Sequence, residues 1–249
     1  MGLLQEISSE ELIESLYSET IYSGLWQSAM SDGKHYGIPF TVDPYVLYYN
    51  SDYFEKKNLQ KPESWEEIME ICANIREPGF YGISFGIRRS GDASDFFDCL
   101  LYSCGGNYYS LDSEPGKMAI NYLDELKRRG YFSKDAINNS PKDAAANFKE
   151  GKAAMFHGYP ALMQEFQEQM DAELTRIPFF SQISDEAFIN MTPSLNIAFN
   201  KDLEKDQEKL DLAFDVLDCM ISKEGQTLIA DGKGVISLNV DVPNMMEDV

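Results

Sequence analysis

Basic side chains are scarce in this sequence, and their scarcity limits the partners that the chain can have. Lys and Arg number 21 against 42 Asp and Glu in 249 residues, which gives a net charge of −21 at pH 7. Nucleic acids and anionic membrane surfaces are held mainly by Lys and Arg. The composition therefore predicts neither of them as a partner.

Long apolar runs, signal-peptide features and paired cysteines are missing as well. No stretch approaches the roughly 18 consecutive apolar residues of a membrane-spanning helix. Residues 1–6 have neither a basic nor an apolar region, so we expect no export signal in this chain. The four cysteines are scattered and form no C-x-x-C pair, which predicts no disulfide framework.

Motifs for catalysis and metal binding are also absent from the sequence. Its two histidines, His35 and His157, lie in no zinc or triad motif, and no glycine-rich phosphate loop follows a strand pattern. Asp92, Asp95 and Asp98 lack the glycine and the terminal glutamate of a calcium loop. We therefore predict a protein that is not an enzyme, with no catalytic residue, no metal site and no cofactor. A hydrolase stays open as an alternative, because glycoside cleavage needs only one pair of carboxylates.

Patterns typical of helices and of strands alternate along the chain, which predicts an α/β fold. Ser64 followed by Glu67 is a capping-box pattern and predicts that a helix begins at residue 65. Basic residues ahead of Gly130 are typical of a helix C-terminus. Further helices are expected at 8–17, 21–30, 95–104, 115–129, 141–150, 160–170, 207–221 and 223–231, and strands within 36–50 and at 81–86, 153–156, 174–179 and 195–199.

Aromatic side chains are abundant, with 14 Tyr, 15 Phe and 2 Trp. A sugar packs the C–H face of its ring on an aromatic ring, while its hydroxyl groups need a few carboxylate and amide partners. Aromatic and short polar residues mix in this way at 43–45, 91–96, 107–109 and 157–159, which makes Tyr108 and His157 candidates for ligand contacts. Each tyrosine taken singly can equally be a packing residue. The pattern favours a carbohydrate site without assigning its residues.

Several short motifs occur in an order that resembles one family. They are YGIPF at 36–40, VLYYNSDYF at 46–54, PESWEEI at 62–68, YGI at 81–83, FKEGKAAM at 148–155 and SKEGQ at 222–226. In this order they resemble the extracellular solute-binding proteins of carbohydrate ABC importers, of the maltodextrin-binding type (family 1). The resemblance extends over about 200 residues of the chain.

The resemblance implies a two-lobed, type II periplasmic-binding-protein-like fold. Residues 1–42 would form part of the N-lobe, 43–192 the α/β C-lobe, and 193–249 the partial return to the N-lobe. The N-lobe would be incomplete in this chain, which we expect to be an N- and C-terminally truncated form. In such proteins the ligand binds in the cleft between the lobes.

The function implied is capture of a sugar or oligosaccharide and its delivery to the membrane permease of an ABC transporter. The expected partners are the carbohydrate ligand and the transmembrane subunits of the permease, with the protein itself a monomer. The expected location is extracellular or periplasmic, with the full-length parent a cell-surface lipoprotein. The alternatives are an α/β hydrolase acting on carbohydrate and a truncated remnant without binding activity.

The resemblance also assigns ligand contacts to individual positions. Asp43 matches an acidic or polar sugar contact, with Tyr45 beside it, and Tyr159 lies next to the position of a stacking tryptophan, here in the order Gly-Tyr-Pro. The remaining matches are Asp95 and Phe96 at the start of a helix, and Asn190 with Thr192, where the family commonly has two glycines. With Tyr108 and His157, the candidate ligand-binding residues are Asp43, Tyr45, Asp95, Phe96, Tyr108, His157, Tyr159, Asn190 and Thr192.

Overall fold

The computed structural model describes residues 3–7, 20–21, 23–75, 77–88, 95–183, 191–233 and 235–243. The chain divides into two compact units, one formed by Met1–Pro44 with Met191–Val249 and the other by Tyr45–Asn190. The boundaries expected from the sequence, after residues 42 and 192, lie within two residues of these divisions. Helices and strands are both present, which confirms the α/β class.

A four-stranded sheet forms the centre of the Tyr45–Asn190 unit. Its strand order is β5-β6-β4-β7, with β6 parallel to β5 and antiparallel to β4, and with β7 antiparallel to β4. The central strands are nearly continuous apolar runs and are buried along their length, as expected for strands covered on both faces. The bounds are β4 Val46–Asn50, β5 Tyr81–Ser84, β6 Ala153–Gly158 and β7 Ala172–Arg176.

Helices surround this sheet and complete the core of the unit. Trp65 is fully buried, and the rings of Phe96, Tyr122 and Phe180 pack against it with centroids 5.6–6.1 Å away. The helices of the unit are α1 Ser51–Lys57, α2 Trp65–Asn74, α3 Asp95–Ser103, α4 Glu114–Arg129, α5 Pro141–Lys149 and α6 Met163–Gln167, with 3-10 helices at Lys134–Ile137 and Pro160–Leu162.

Local hydrogen bonds explain where two of the helices begin and end. Ser64 is the N-cap of α2, and its Oγ accepts a bond from the Glu67 amide at 3.2 Å. The Glu67 carboxylate accepts from the Glu63 amide at 2.7 Å rather than from Ser64, so the return bond of the predicted capping box lies one residue earlier. Helix α4 ends at Gly130, whose φ of 69° is left-handed and suits glycine.

We expect Ser64→Ala to lower the free energy of unfolding by about 1 kcal/mol, because the first turn of α2 then loses the acceptor for one amide. Chemical unfolding monitored by tryptophan fluorescence measures this change. Ser31→Ala is the matched control, since within the described residues the Ser31 hydroxyl makes no hydrogen bond. An equal effect of both substitutions would contradict the assignment of Ser64 as the cap.

In its described residues, the other unit contains two antiparallel strand pairs and two long helices. β3 (Ile38–Pro44) pairs with β8 (Met191–Ile197), and β1 (Met30–Ser31) pairs with β2 (Lys34–His35). The helices are α7 Gln207–Ile221 and α8 Lys223–Lys233, with 3-10 helices at Ser23–Ala29 and Lys201–Lys205. Its core is apolar and includes Ile38, Val42, Leu217, Ile221 and Leu238.

Two segments differ from the helices predicted for them. The helix expected at 21–30 is a 3-10 helix over Ser23–Ala29, where serine and glycine are weak helix formers. The helix expected at 160–170 is a 3-10 turn at Pro160–Leu162 followed by α6, which ends before β7 begins at Ala172. The helix expected at 8–17 lies outside the described residues. Among those described, none of the helices has the length and apolar character to cross a membrane.

Candidate ligand site

Three of the predicted aromatic residues come together beside one end of the sheet in the Tyr45–Asn190 unit. Tyr45 precedes β4, and Tyr159 follows β6. Because β4 and β6 are antiparallel, with Val46 opposite Gly158 and Leu47 opposite His157, the start of one strand lies beside the end of the other. This register explains why two residues 114 positions apart are in contact.

The three rings form one cluster. The centroid of Tyr45 lies 5.1 Å from that of His157, with 30° between the ring planes, and 4.9 Å from that of Tyr159, with 39° between them. The Tyr159 hydroxyl donates to the Tyr45 hydroxyl at 3.3 Å. Tyr45 is only 6% exposed, whereas Tyr159 is half-buried. Tyr159 is therefore the ring of this cluster that a ligand can reach most directly.

His157 is the buried support of the cluster. Its Nε2 lies 3.3 Å from Sγ of Cys99, and the Phe96 ring meets it edge-on at a centroid distance of 5.2 Å. Burial lowers the pKa of His157 to about 3, so the imidazole is neutral at physiological pH. A neutral ring suits stacking against Tyr45 without the desolvation cost of a buried charge.

Asp43 lies in the other unit, near the end of β3, where its backbone pairs with that of Thr192. Its Oδ1 is buried, and no group within the described residues donates a hydrogen bond to it. Burial raises the pKa of Asp43 to about 6. An unpartnered carboxylate oxygen of this kind is costly unless a ligand or water supplies a donor.

The family follows from comparison with known proteins. A family model described as "Bacterial extracellular solute-binding protein" matches residues 1–249. The chain belongs to this family. The resemblance inferred from the motifs is thereby confirmed, and the family is one of binding proteins rather than enzymes.

Relatives of this solute-binding protein are longer than the chain itself. A galactooligosaccharide-binding protein of Bacillus subtilis is 26% identical over 228 residues, which cover 83% of this chain and 51% of the relative. A putative binding protein of Brucella abortus is 24% identical over 225 residues, which cover 86% of this chain and 53% of the relative. The chain thus spans about half the length of these curated relatives.

Solved structures with the same fold include two with bound sugars. Maltose-bound MalE3 of T. maritima matches with a TM-score of 0.79 at 19% identity, covering 96% of this chain and 63% of that one. A Thermotoga lettingae ABC transporter solute-binding protein bound with α-D-tagatose matches with a TM-score of 0.75 at 20% identity, with the same coverage. At this identity the likeness shows the fold, and it confirms the periplasmic-binding-protein-like architecture.

The other predicted ligand residues of the solute-binding protein have different surroundings. Phe96 is 2% exposed and stacks on Phe85 at 4.0 Å inside the core, where it supports His157. This burial disfavours the direct stacking on a ligand expected for Phe96. Tyr108 is 46% exposed, donates a hydrogen bond to the Asp98 carboxylate, and has its described ring contacts with Phe97 and Tyr102. Asn190 and the side chains of Asp95 and Thr192 lie outside the description.

Two residues that support the cluster were not singled out from the sequence. Cys99 is fully buried, and it contacts His157 from 58 positions away. Tyr48 donates from its hydroxyl to the carbonyl oxygens of Tyr159 at 2.7 Å and Pro160 at 3.1 Å, which fixes the backbone that carries the Tyr159 ring. Side chains alternate along β4, so Tyr48 lies on the opposite face from Leu47, but nothing in this nearly continuous apolar run marks Tyr48 as a support of Tyr159.

The raised pKa of Asp43 predicts a pH-dependent stability. Between the ordinary carboxyl pKa of 3.8 and the folded value of about 6, the folded state binds more protons than the unfolded state. Stability therefore falls as pH rises through this window, and above it Asp43→Asn should make the unliganded protein more stable than the parent. Denaturant midpoints at pH 4 and pH 7.5 measure the difference, which should be small at the lower pH. The exposed Asp231→Asn is the control; a pH-independent effect of Asp43→Asn would contradict the expectation.

Proposed function

We propose that this solute-binding protein is the sugar-binding component of an ABC importer, which captures a mono- or oligosaccharide and delivers it to a membrane permease. The observation that carries the proposal is the ring cluster in which half-buried Tyr159 packs on Tyr45 and Tyr45 stacks on neutral His157. A fixed aromatic face of this kind suits the C–H face of a sugar ring. An uncharged ring face and a neutral ligand meet without the desolvation of a charge.

Asp43 supplies the polar part of the proposed recognition. Its buried oxygen lacks a donor among the described residues, and sugar hydroxyl groups are donors. A few oriented polar groups of this kind are typical of small-molecule recognition. The B. subtilis relative described as galactooligosaccharide-binding and the structures with maltose and tagatose support a carbohydrate as the ligand class.

Calorimetric titration with mono- and oligosaccharides tests the ligand class. We expect saturable binding of at least one sugar without turnover of it. Saturable binding of a peptide or a polyamine in place of every sugar would overturn the carbohydrate assignment and leave the fold unaffected. Hydrolysis of a bound sugar would overturn the assignment as a binding protein.

The proposal includes the setting in which the protein works. The family description is extracellular, and we propose that the parent protein acts outside the cytoplasmic membrane as a monomeric lipoprotein beside the transmembrane subunits of its permease. Light scattering in the presence of sugar measures the oligomeric state. A stable dimer would contradict the monomer.

A further inference from the structure

A polar cavity lies at the opposite end of the sheet from the ring cluster. Its volume is about 320 Å³, and its floor is made by Ile83 and Ala153, which are both buried. Tyr81 and Ala153 are opposite each other at the starts of the parallel strands β5 and β6. His157 lies four residues further along β6, about 13 Å away at the usual rise per residue. The cavity is therefore separate from the ring cluster within the same unit.

Four polar side chains that line this cavity have no partner among the described residues. Asp135, Asn139 and Asn147 come from the Lys134–Ile137 turn, the segment after it and α5, and Tyr81 begins β5. Within the part of the chain that the structure describes, none of these four side chains makes a hydrogen bond or ion pair with the protein. Ser84, which also lines the cavity, uses its hydroxyl to donate to the Ala144 carbonyl at 2.9 Å.

The backbone that carries these side chains is fixed by hydrogen bonds. The Asn139 amide donates to the Asp135 carbonyl at 3.0 Å, the Lys152 amide to the Asn147 carbonyl at 2.9 Å, and the Tyr81 amide to the Lys152 carbonyl at 2.9 Å. The backbone positions from which these groups extend are thus set before any ligand arrives. Preorganisation of this kind reduces the ordering cost of binding.

We propose that this cavity is a second binding site, for a small neutral polyhydroxylated molecule such as a monosaccharide or a hexitol. Each hydroxyl group both donates and accepts, which matches the two amides and the phenol, and the Asp135 carboxylate accepts two more bonds. The half-buried Tyr81 ring and the apolar floor suit the C–H face of such a ligand. The volume is at the lower end of the range for ligand pockets, as a ligand of this size requires.

Charged ligands fit the same groups less well. The ammonium group of Lys152 is paired with Glu150, and an anion would face the carboxylate of Asp135. A cation would pair with Asp135 but would leave the amide N–H groups and the phenol of Tyr81 without an acceptor. The balance of donors and acceptors therefore favours a neutral molecule.

NMR titration of the ¹⁵N-labelled full chain tests the proposal, in a Tyr159→Ala background that weakens the ring-cluster site. With glucose or mannitol we expect saturable shifts at the Tyr81 and Ala153 backbone amides and at the Asn139 and Asn147 side-chain amides. For a ligand of about 12 heavy atoms the expected Kd is about 1 mM. The double substitution Asn139→Ala/Asn147→Ala should raise it at least about tenfold, because each substitution removes a hydrogen bond to the ligand.

A control variant and two charged probe ligands test whether the cavity residues and the ligand class are correctly assigned. Asn121→Ala, an exposed asparagine on α4, should leave the Kd unchanged. Where the double variant does not fold, Asp135→Asn on the exposed turn replaces it and should also weaken binding.

No saturable shift at about 100 times the expected Kd, or an equal Kd in the double variant, overturns the proposal. Shifts with putrescine or acetate but with neither polyol overturn the ligand class. If no sugar binds at the ring cluster, the test of the cavity is unaffected, because the titration follows the NMR signals of the residues that line the cavity.

Discussion

Asp43→Ala should weaken sugar binding by about 10- to 100-fold. A sugar hydroxyl that donates to a buried carboxylate forms a charge-assisted hydrogen bond worth roughly 1.5–3 kcal/mol, which corresponds to this loss of affinity. The effect is large because Oδ1 of Asp43 is buried and no group in the described residues satisfies it. Calorimetry with the best sugar of the panel, on parent and variant, measures the ratio of the two Kd values.

The affinity should also depend on pH through the same carboxyl group. Its pKa is about 6 in the unliganded protein because burial disfavours the charge, and donated hydroxyl groups favour the ionised form. Sugar binding therefore lowers the pKa of Asp43 and releases protons near pH 6. Affinity rises from pH 5 to pH 7.5 and is flat above, and Asp43→Asn abolishes the dependence.

Two controls separate this role from a general effect of charge. The exposed Asp231→Ala changes the net charge equally and should leave the affinity unchanged. Titration in two buffers of different ionisation enthalpy detects the released proton directly. An unaltered Kd in Asp43→Ala, with the protein folded, would contradict the assignment of Asp43 to the sugar.

Tyr159→Ala should weaken sugar binding by about tenfold, because the ligand loses an apolar ring face that water otherwise covers. The same change should lower the free energy of unfolding by about 1–2 kcal/mol, since the ring packs on Tyr45 and on the core of its unit. Calorimetry well below the unfolding temperature isolates the effect on binding, and thermal unfolding gives the effect on stability.

Two further tyrosine variants show which part of the side chain matters. Tyr159→Phe keeps the ring and removes the hydroxyl that donates to the Tyr45 hydroxyl, so its Kd should stay within about threefold of the parent. Tyr108→Ala removes an exposed ring whose described contacts are with α3, and it serves as the matched control. A loss of stability in Tyr159→Ala with an unchanged Kd would mean that Tyr159 is a packing residue only.

Several parts of the fold could be predicted because they depend on neighbours in sequence. Ser64 caps α2 through a residue three positions away, and Gly130 ends α4 by its own backbone conformation. The apolar runs at 46–49 and 153–156 also predict buried strands from neighbouring residues alone. The predicted helices at 21–30 and 160–170 were wrong in type or extent, because a short segment is placed by the tertiary packing around it more than by propensity.

The ring cluster of the candidate site could be predicted only in part. The family resemblance and the aromatic loops indicated Tyr45, His157 and Tyr159 as candidates, and these residues form one ring cluster in the structure. Nothing local distinguished these rings from Phe96, which is equally aromatic and lies in the core. Exposure of a ring depends on what packs over it, and that packing comes from segments far away in the chain.

The sequence by itself determined the α/β class, the family, the acidic surface and the ends of the better-marked helices. These follow from composition, from motifs in order and from interactions over a few residues. Only the tertiary structure decided that Cys99 contacts His157, that Tyr48 fixes the backbone of Tyr159, and that four polar groups without a partner among the described residues line one cavity. The physical reason is strand register: the pairing of β4 with β6 and of β5 with β6 sets which distant residues meet, and no short-range pattern encodes it.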